Sequence, residues 1–457
     1  MGIFGAMTTA ITGLRAQSFA LERISDNIAN SQTTGYKRSD ASFADFVPDS
    51  PSRQQALGVV NAFSRPTNTI QGDIANSEVP THIAVNGDGY FIIGDQTDTI
   101  DGLPVFGSED LYTRRGDFEF DQNGYLVNAA GYFLKGLPID ATTGNPSGSS
   151  PEVIRVSNDF LPASATSQVD YRANLASYPL TANADPAVPD SELLNPASYV
   201  NDPTAGNDEF VQAADVSQFI DDSISGGAVT AFDAAGASVN VQFRWAKTDT
   251  SLTGGTDNWN LFYLEDSAAT GANPAWRNIG VDYAFAANGQ LNPAIASSTV
   301  TGLTVNGVNL GNITLDHGTN GITQFADTNG VAKVTDINQN GFAAGELVGI
   351  TVSEEGRVVA SYTNGRTIDL AEITLASFNG DGGLAKTDGG AFRATSDSGA
   401  PIIGALGTVV GSALEGSNTD IADEFTKLIV TQQAYAANTR IISTADEMVS
   451  EALNMIR

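Results

Sequence analysis

The chain has no cysteine among its 457 residues. That absence excludes disulfides, thiolate metal sites and cysteine nucleophiles. Only two histidines occur, His82 and His317, and neither has a His-x-x-x-His partner, which argues against an imidazole metal site. Basic residues are scarce. The 22 Lys+Arg face 53 Asp+Glu, a formal charge of −31 that opposes binding to nucleic acid or anionic lipid. No stretch approaches the roughly 18 apolar residues of a transmembrane helix, so membrane insertion is not expected. The start, Met1 to Ala10, lacks a basic region before an apolar stretch, and Ala6 stands where myristoylation needs Ser or Thr. These features fit a cytosolic protein, or one exported without a cleaved signal peptide.

Catalytic templates are missing too. There is no Gly-Lys for a phosphate loop and no Gly-x-Ser-x-Gly elbow. Gly87-Asp-Gly89 begins like a dinucleotide fingerprint, but its third glycine position is Ile92. A hairpin turn ahead of Tyr90-Phe-Ile-Ile93 explains it better. Asp336-Ile-Asn338-Gln-Asn340-Gly341 opens like a calcium loop, yet its twelfth position is Leu347 and not a bidentate Glu. It reads as a turn leading into a strand over Leu347–Val352. Nothing singles out a glycosidase-like carboxylate pair. Trp245, Trp259 and Trp276 could stack on sugars, but core is the favoured reading. The expectation is a protein that is not an enzyme and has no cofactor, metal or catalytic residue.

What is present is a partition. Residues 1–40 hold four basic and three acidic groups, and residues 412–457 hold three and seven. The ends therefore carry +1 and −4, leaving −31 − 1 + 4 = −28 for the middle. Residues 14–34 and 417–457 contain no Gly or Pro and read as helices. Ile421, Leu428, Tyr435, Ile442, Val449 and Ile456 recur every seven residues, with Phe425 and Leu453 beside the row. Met7, Leu14, Leu21 and Ile28 do the same near the start, flanked by Ile11 and Ile24. A seven-residue period favours helix–helix packing over a lone surface helix. Ser417-Asn418 can cap the C-terminal helix, and Asp420, Asp423 and Glu424 suit its positive end. Two helices cannot enclose every apolar side chain of such stripes, so the remainder points to other copies of the chain; an intramolecular coiled-coil stalk is the alternative.

The middle reads as β. Nine Asn-Gly and four Asp-Gly dipeptides supply residues that accept the positive φ of tight turns. Residues 117–127 and 358–368 alternate, turn at Asn123-Gly124 or Asn364-Gly365, and resume. The expected fold is multidomain and mainly β, with paired N- and C-terminal α-helices forming a coiled-coil-like inner core. The domain order is nested. Residues 1–35 and 412–457 form the helical core, 36–69 a linker, 70–175 and 345–411 an inner β domain, and 176–344 an inserted outer β domain.

The segment Leu14-Arg-Ala-Gln-Ser-Phe-Ala-Leu-Glu-Arg-Ile-Ser-Asp-Asn-Ile-Ala-Asn-Ser-Gln-Thr-Thr-Gly-Tyr-Lys-Arg38 resembles the N-terminal signature of bacterial flagellar axial proteins. Gly345–Val352 and Thr363–Arg366, then Ser417–Phe425, Thr431–Arg440 and Thr444–Met448, are similar to the returning part of the flagellar rod/hook family. The resemblance covers about residues 1–140 and 345–457 and points to the hook members. It implies a structural subunit that self-assembles into a flexible curved tube, a universal joint linking the basal-body rod to the filament. Its implied partners are other copies of itself, a rod protein, a hook cap, a hook–filament junction protein and the flagellar type III export apparatus. Its implied location is the extracellular flagellum. Under this resemblance the assembly core is the two apolar rows named above, and Thr33, Thr34, Gly35, Tyr36, Lys37 and Arg38 form the linker motif. A distal rod or junction protein of the same family, or an acidic β-rich adhesin or glycan-binding module, are the alternatives.

Overall fold

The computed structural model describes residues 3–46, 59–140, 143–157, 159–204, 209–404 and 407–455. Two compact units emerge. One joins residues 1–159 to 347–457, and the other is residues 160–346.

In the first unit a helix over Ile3–Ala29 is followed by an antiparallel hairpin, Ser39–Phe46 with Val59–Pro66. The chain closes with a helix over Ile421–Asn454, about 50 Å long at 1.5 Å per residue. The helix is shorter than residues 417–457 because its cap is Asp420, whose side chain accepts from the Ala422 and Asp423 amides. The expected Ser417-Asn418 cap is therefore corrected. Between the helices, the outgoing and returning chains stay paired. Ile74–Asn76 lies against Ala413–Glu415, and Ile83–Asn86 against Thr408–Gly411. Further out, Thr367–Glu372 pairs with Phe133–Pro138, so the two halves share one large antiparallel sheet. Both anticipated hairpins form: Phe118–Phe120 pairs with Leu126–Asn128, and Arg357–Tyr362 with Thr367–Glu372. The strand Tyr90–Ile100 is buried on both faces over its first five residues and exposed beyond them. Phe91, Ile93, Leu111, Phe118 and Leu134 fill one side of the sheet, and Tyr90, Tyr112, Phe378 and Phe392 the other.

The second unit holds two five-stranded sheets. It begins at Phe160, ahead of the expected 176, because Gln168–Asn174 pairs with Val308–Asp316 and Lys333–Gln339. Trp245 and Trp259 are fully buried, and Trp276 is nearly so. The tryptophans are therefore core, not a sugar-stacking face. Trp245 Nε1 donates to Tyr171 Oη at 2.8 Å. His317 is buried beside them, with Nε2 2.9 Å from Tyr283 Oη and Nδ1 2.9 Å from the Tyr171 carbonyl. Asp336, Asn338 and Gln339 lie in a strand opposite Arg172, Asp170 and Val169, so the calcium-loop look-alike is extended backbone.

Candidate functional site: the terminal helix pair and its anchor

The two terminal helices pack against each other in opposite directions. Gly13 faces Asn438, where an added Cβ would lie 3.0 Å from the Asn438 amide nitrogen. Asn27 Nδ2 donates to Glu424 Oε2 at 3.1 Å. The separation is 27 − 13 = 14 residues on one helix and 438 − 424 = 14 on the other, which fixes an antiparallel register. The same register sets Ala20 opposite Thr431, and both are buried.

The seam is made of small and polar residues. Ala10, Ala16, Ala20, Ile24 and Asn27 are buried on the first helix, and Glu424, Thr431 and Ala445 on the second. Glu424, Thr431, Asn438 and Ala445 do recur every seven residues, but they stand three positions after the apolar row. Small side chains let helix axes approach closely, so this row takes the centre.

The large apolar residues lie elsewhere. Met7, Leu14, Leu21 and Ile28 are half-buried, as are Leu428, Ile442 and Val449. Ile11, Ile421, Phe425, Tyr435 and Leu453 are exposed. Of the expected row only Ile24 is buried, and Ile456 lies outside the described residues. A further row was not anticipated. Ile441, Met448 and Met455 are 46%, 53% and 79% exposed and are themselves seven apart, which leaves an apolar stripe on the outer face of about the last four turns. The same period in the sequence carried that signal, but it was masked by the stronger row beside it.

The linker motif anchors this pair to the β body. Gly35 has φ +65°, its amide donates to the Glu415 carbonyl at 2.8 Å, and a Cβ there would sit 2.6 Å from the Arg115 nitrogen. Only glycine fits. Tyr36 Oη donates to Asn27 Oδ1. The Lys37 ammonium is fully buried, 2.6 Å from Glu415 Oε1 and 2.7 Å from the Ile70 carbonyl. Burial lowers the Lys37 pKa, and Glu415 pulls it back up. Glu415 Oε1 also accepts from the Gly72 amide at 2.9 Å, while Oε2 is 3.3 Å from Arg114 Nη1. The Arg38 amide donates to Asn418 Oδ1, and Asn418 Nδ2 donates to the Thr67 and Ile70 carbonyls. Thr33 Oγ1 bonds Asn30, and Thr34 lines a cleft with Tyr36 and Lys386. A second clasp joins Asn27, Glu424 and Lys427. Burial works against the Lys427 charge, but hydrogen bonds to Glu424 and Asp40 outweigh it and raise the pKa.

Glu415, Asn27, Glu424 and Asn418 were not anticipated as anchors. The one hint for Glu415 is its place two residues after Ala413 on the inward phase of a short strand, where an unpaired carboxylate would be costly.

A helix pair seated by small residues, with larger apolar ones left outward and nested β domains between, has the architecture of a fibre subunit. The comparisons agree. The family described as "Flagella basal body rod protein" matches residues 7–37, and "Flagellar hook protein FlgE/F/G D1 domain" matches 84–160. "Flagellar basal body protein FlaE D2 domain" matches 220–342, and "Flagellar basal body rod FlgEFG protein C-terminal" matches 410–455. The chain is 30% identical to the flagellar hook protein FlgE of Escherichia coli, over 98% of this chain and all of that one. It is 28% identical to FlgE of Brucella suis over the whole of both chains, and 29% identical to FlgE of Salmonella typhimurium over 98% of this chain and all of that one. The crystal structure of Helicobacter pylori flagellar hook protein FlgE2 aligns with a TM-score of 0.50 at 16% identity, covering 75% of this chain and all of that one, which shows the shared fold. The chain belongs to the flagellar hook protein family.

Proposed function

We propose that the chain is a structural subunit of the bacterial flagellar hook and that many copies build a curved, flexible tube through their terminal helices. The observation that carries this reading is the outer stripe Ile441, Met448 and Met455. It adds to exposed Phe425 and Ile429 on the same helix, although the helix already has a partner within the chain. An apolar strip left in water on a folded subunit marks an association surface. The β domains carry most of the acidic charge and form the solvated outer part, with residues 160–346 as an insertion in the inner domain. In the assembled flagellum the tube would meet a rod protein at one end and a junction protein at the other, growing under a cap from subunits delivered by type III export. No helix among the described residues is long and apolar enough to cross a membrane.

The test is the double variant Ile441→Asp/Met448→Asp. Both side chains face water in the single chain, so helical circular dichroism is expected to stay at the parent level. Assembly, read by sedimentation and electron microscopy, is expected to be lost. Polymers of parent length from that variant would defeat the proposal.

A further inference from the structure

The nine Asn-Gly pairs shape turns, but an Asn-Gly pair is also a reactive one. Glycine has no Cβ to hinder its amide nitrogen, and asparagine places an amide carbon within its reach. The fold decides which pairs are free to react. Six glycine amides are committed to hydrogen bonds: Gly87 to Gln71, Gly124 to Asp121, Gly289 to Ala286, Gly341 to Gln339, Gly365 to Tyr362 and Gly380 to Ser398. Asn306 is clamped instead, its side-chain oxygen accepting from Ser267 and its amide donating to Glu265. The Gly321 amide and the Asn320 side chain, by contrast, make no hydrogen bond among the described residues, although Gly321 is wedged against the His317 carbonyl.

Asn329-Gly330 is unclamped in the same way. It lies in the loop between Ile322–Thr323 and Lys333–Gln339, and Asn329 is exposed. The Asn329 side chain and the Gly330 amide make no hydrogen bond among the described residues. The glycine is nevertheless required. Its φ is +65°, and a Cβ would lie 2.3 Å from Leu180 Cγ and 2.6 Å from the Leu180 nitrogen.

We propose that Asn329 is a site of spontaneous deamidation and isoaspartate formation, faster than the pairs whose glycine amides are bonded. The Gly330 amide nitrogen attacks Asn329 Cγ. A nitrogen–carbon bond closes a succinimide ring, the Cγ–Nδ2 bond breaks, and ammonia leaves with the Gly330 amide proton. Water then opens either ring carbonyl to give aspartate or isoaspartate. Each event adds one negative charge to the −31 of the chain. The isoaspartyl product also lengthens the main chain by one carbon beside the bond from the Leu180 amide to the Gly330 carbonyl, now 2.8 Å. The loop thereby carries a mark of the age of the protein.

The experiment incubates the full-length chain in mildly alkaline buffer and follows each site by fragmentation mass spectrometry. Digestion at aspartate is needed, because trypsin leaves Asn288, Asn306, Asn320 and Asn329 on one peptide. Methyl transfer to isoaspartate identifies the rearranged product. Freeing a turn amide costs one net hydrogen bond, about 1 kcal/mol, so Asn329 should convert about fivefold faster than Asn123 or Asn364. In concentrated urea the three rates should converge. An Asn329→Ser variant should lose that signal alone. Equal rates in the folded chain, or a gap that persists in urea, would overturn the proposal.

Discussion

Replacing Glu415 with glutamine should release the linker from the β body. Glu415 is the only carboxylate within 4 Å of Lys37 or Arg114 among the described residues, and all three side chains are at most 4% exposed. The amide keeps the shape and can still accept from Gly72, but it leaves two buried cations uncompensated. Breaking a buried ion pair from one side costs about 3–5 kcal/mol. At 1.4 kcal/mol per tenfold, the open junction gains roughly two to four powers of ten in population. The assay is built into the motif, because Lys37 and Arg38 are tryptic sites. Their cleavage follows the open population when opening and closing outrun proteolysis. The pH dependence adds a second check. Burial already holds the folded Lys37 pKa below its ordinary value, and Glu415 opposes that shift. Without Glu415 the pKa drops further. The open state then binds more protons than the closed one, so closure strengthens as pH rises from the folded pKa to about 10.4. Cleavage of Glu415→Gln, normalised to an open reference peptide, should therefore fall toward alkaline pH more steeply than that of the parent. A variant cleaved within about threefold of the parent at neutral pH, or a ratio flat with pH, would refute this account of the junction.

Two other outcomes follow from single groups. Gly35→Ala forces an L residue into φ +65° against the Arg114–Arg115 backbone, and a loss of about 2 kcal/mol or more is expected in urea unfolding of the first unit. Burial pushes the His317 pKa below its ordinary value, so the unfolded chain binds the extra proton first. Stability of the second unit should then fall as pH drops below about 6.5, and His317→Gln should flatten that part of a melting-temperature profile.

The legible parts of this fold are those with local signals. Asn123-Gly124 and Asn364-Gly365 place two hairpins because a tight turn needs positive φ at one residue. The seven-residue period of the ends identifies helices that pack on helices. Which row faces which partner is not local. Ala20, Thr431 and Asn438 take the seam because small side chains allow close approach, and that depends on a helix some 400 residues away. The anchor was half visible: Gly35 and Lys37 stand in a recognisable motif, whereas Glu415 and Asn418 become their partners only when the returning chain is laid beside the outgoing one. The insertion boundary shifted for a similar reason. The strand Gln168–Asn174 completes a sheet whose other strands come much later in the chain.

On the reading proposed above, the terminal helices pair through small residues within one chain and use their outward apolar rows to join chains. Electron microscopy of the full-length protein assembled at high concentration, carried to a helical reconstruction, tests it most directly. Curved tubes are expected, with the terminal helices as the innermost layer and Ile441, Met448 and Met455 against neighbouring copies. Isolated particles, or tubes in which that row faces solvent, would contradict it.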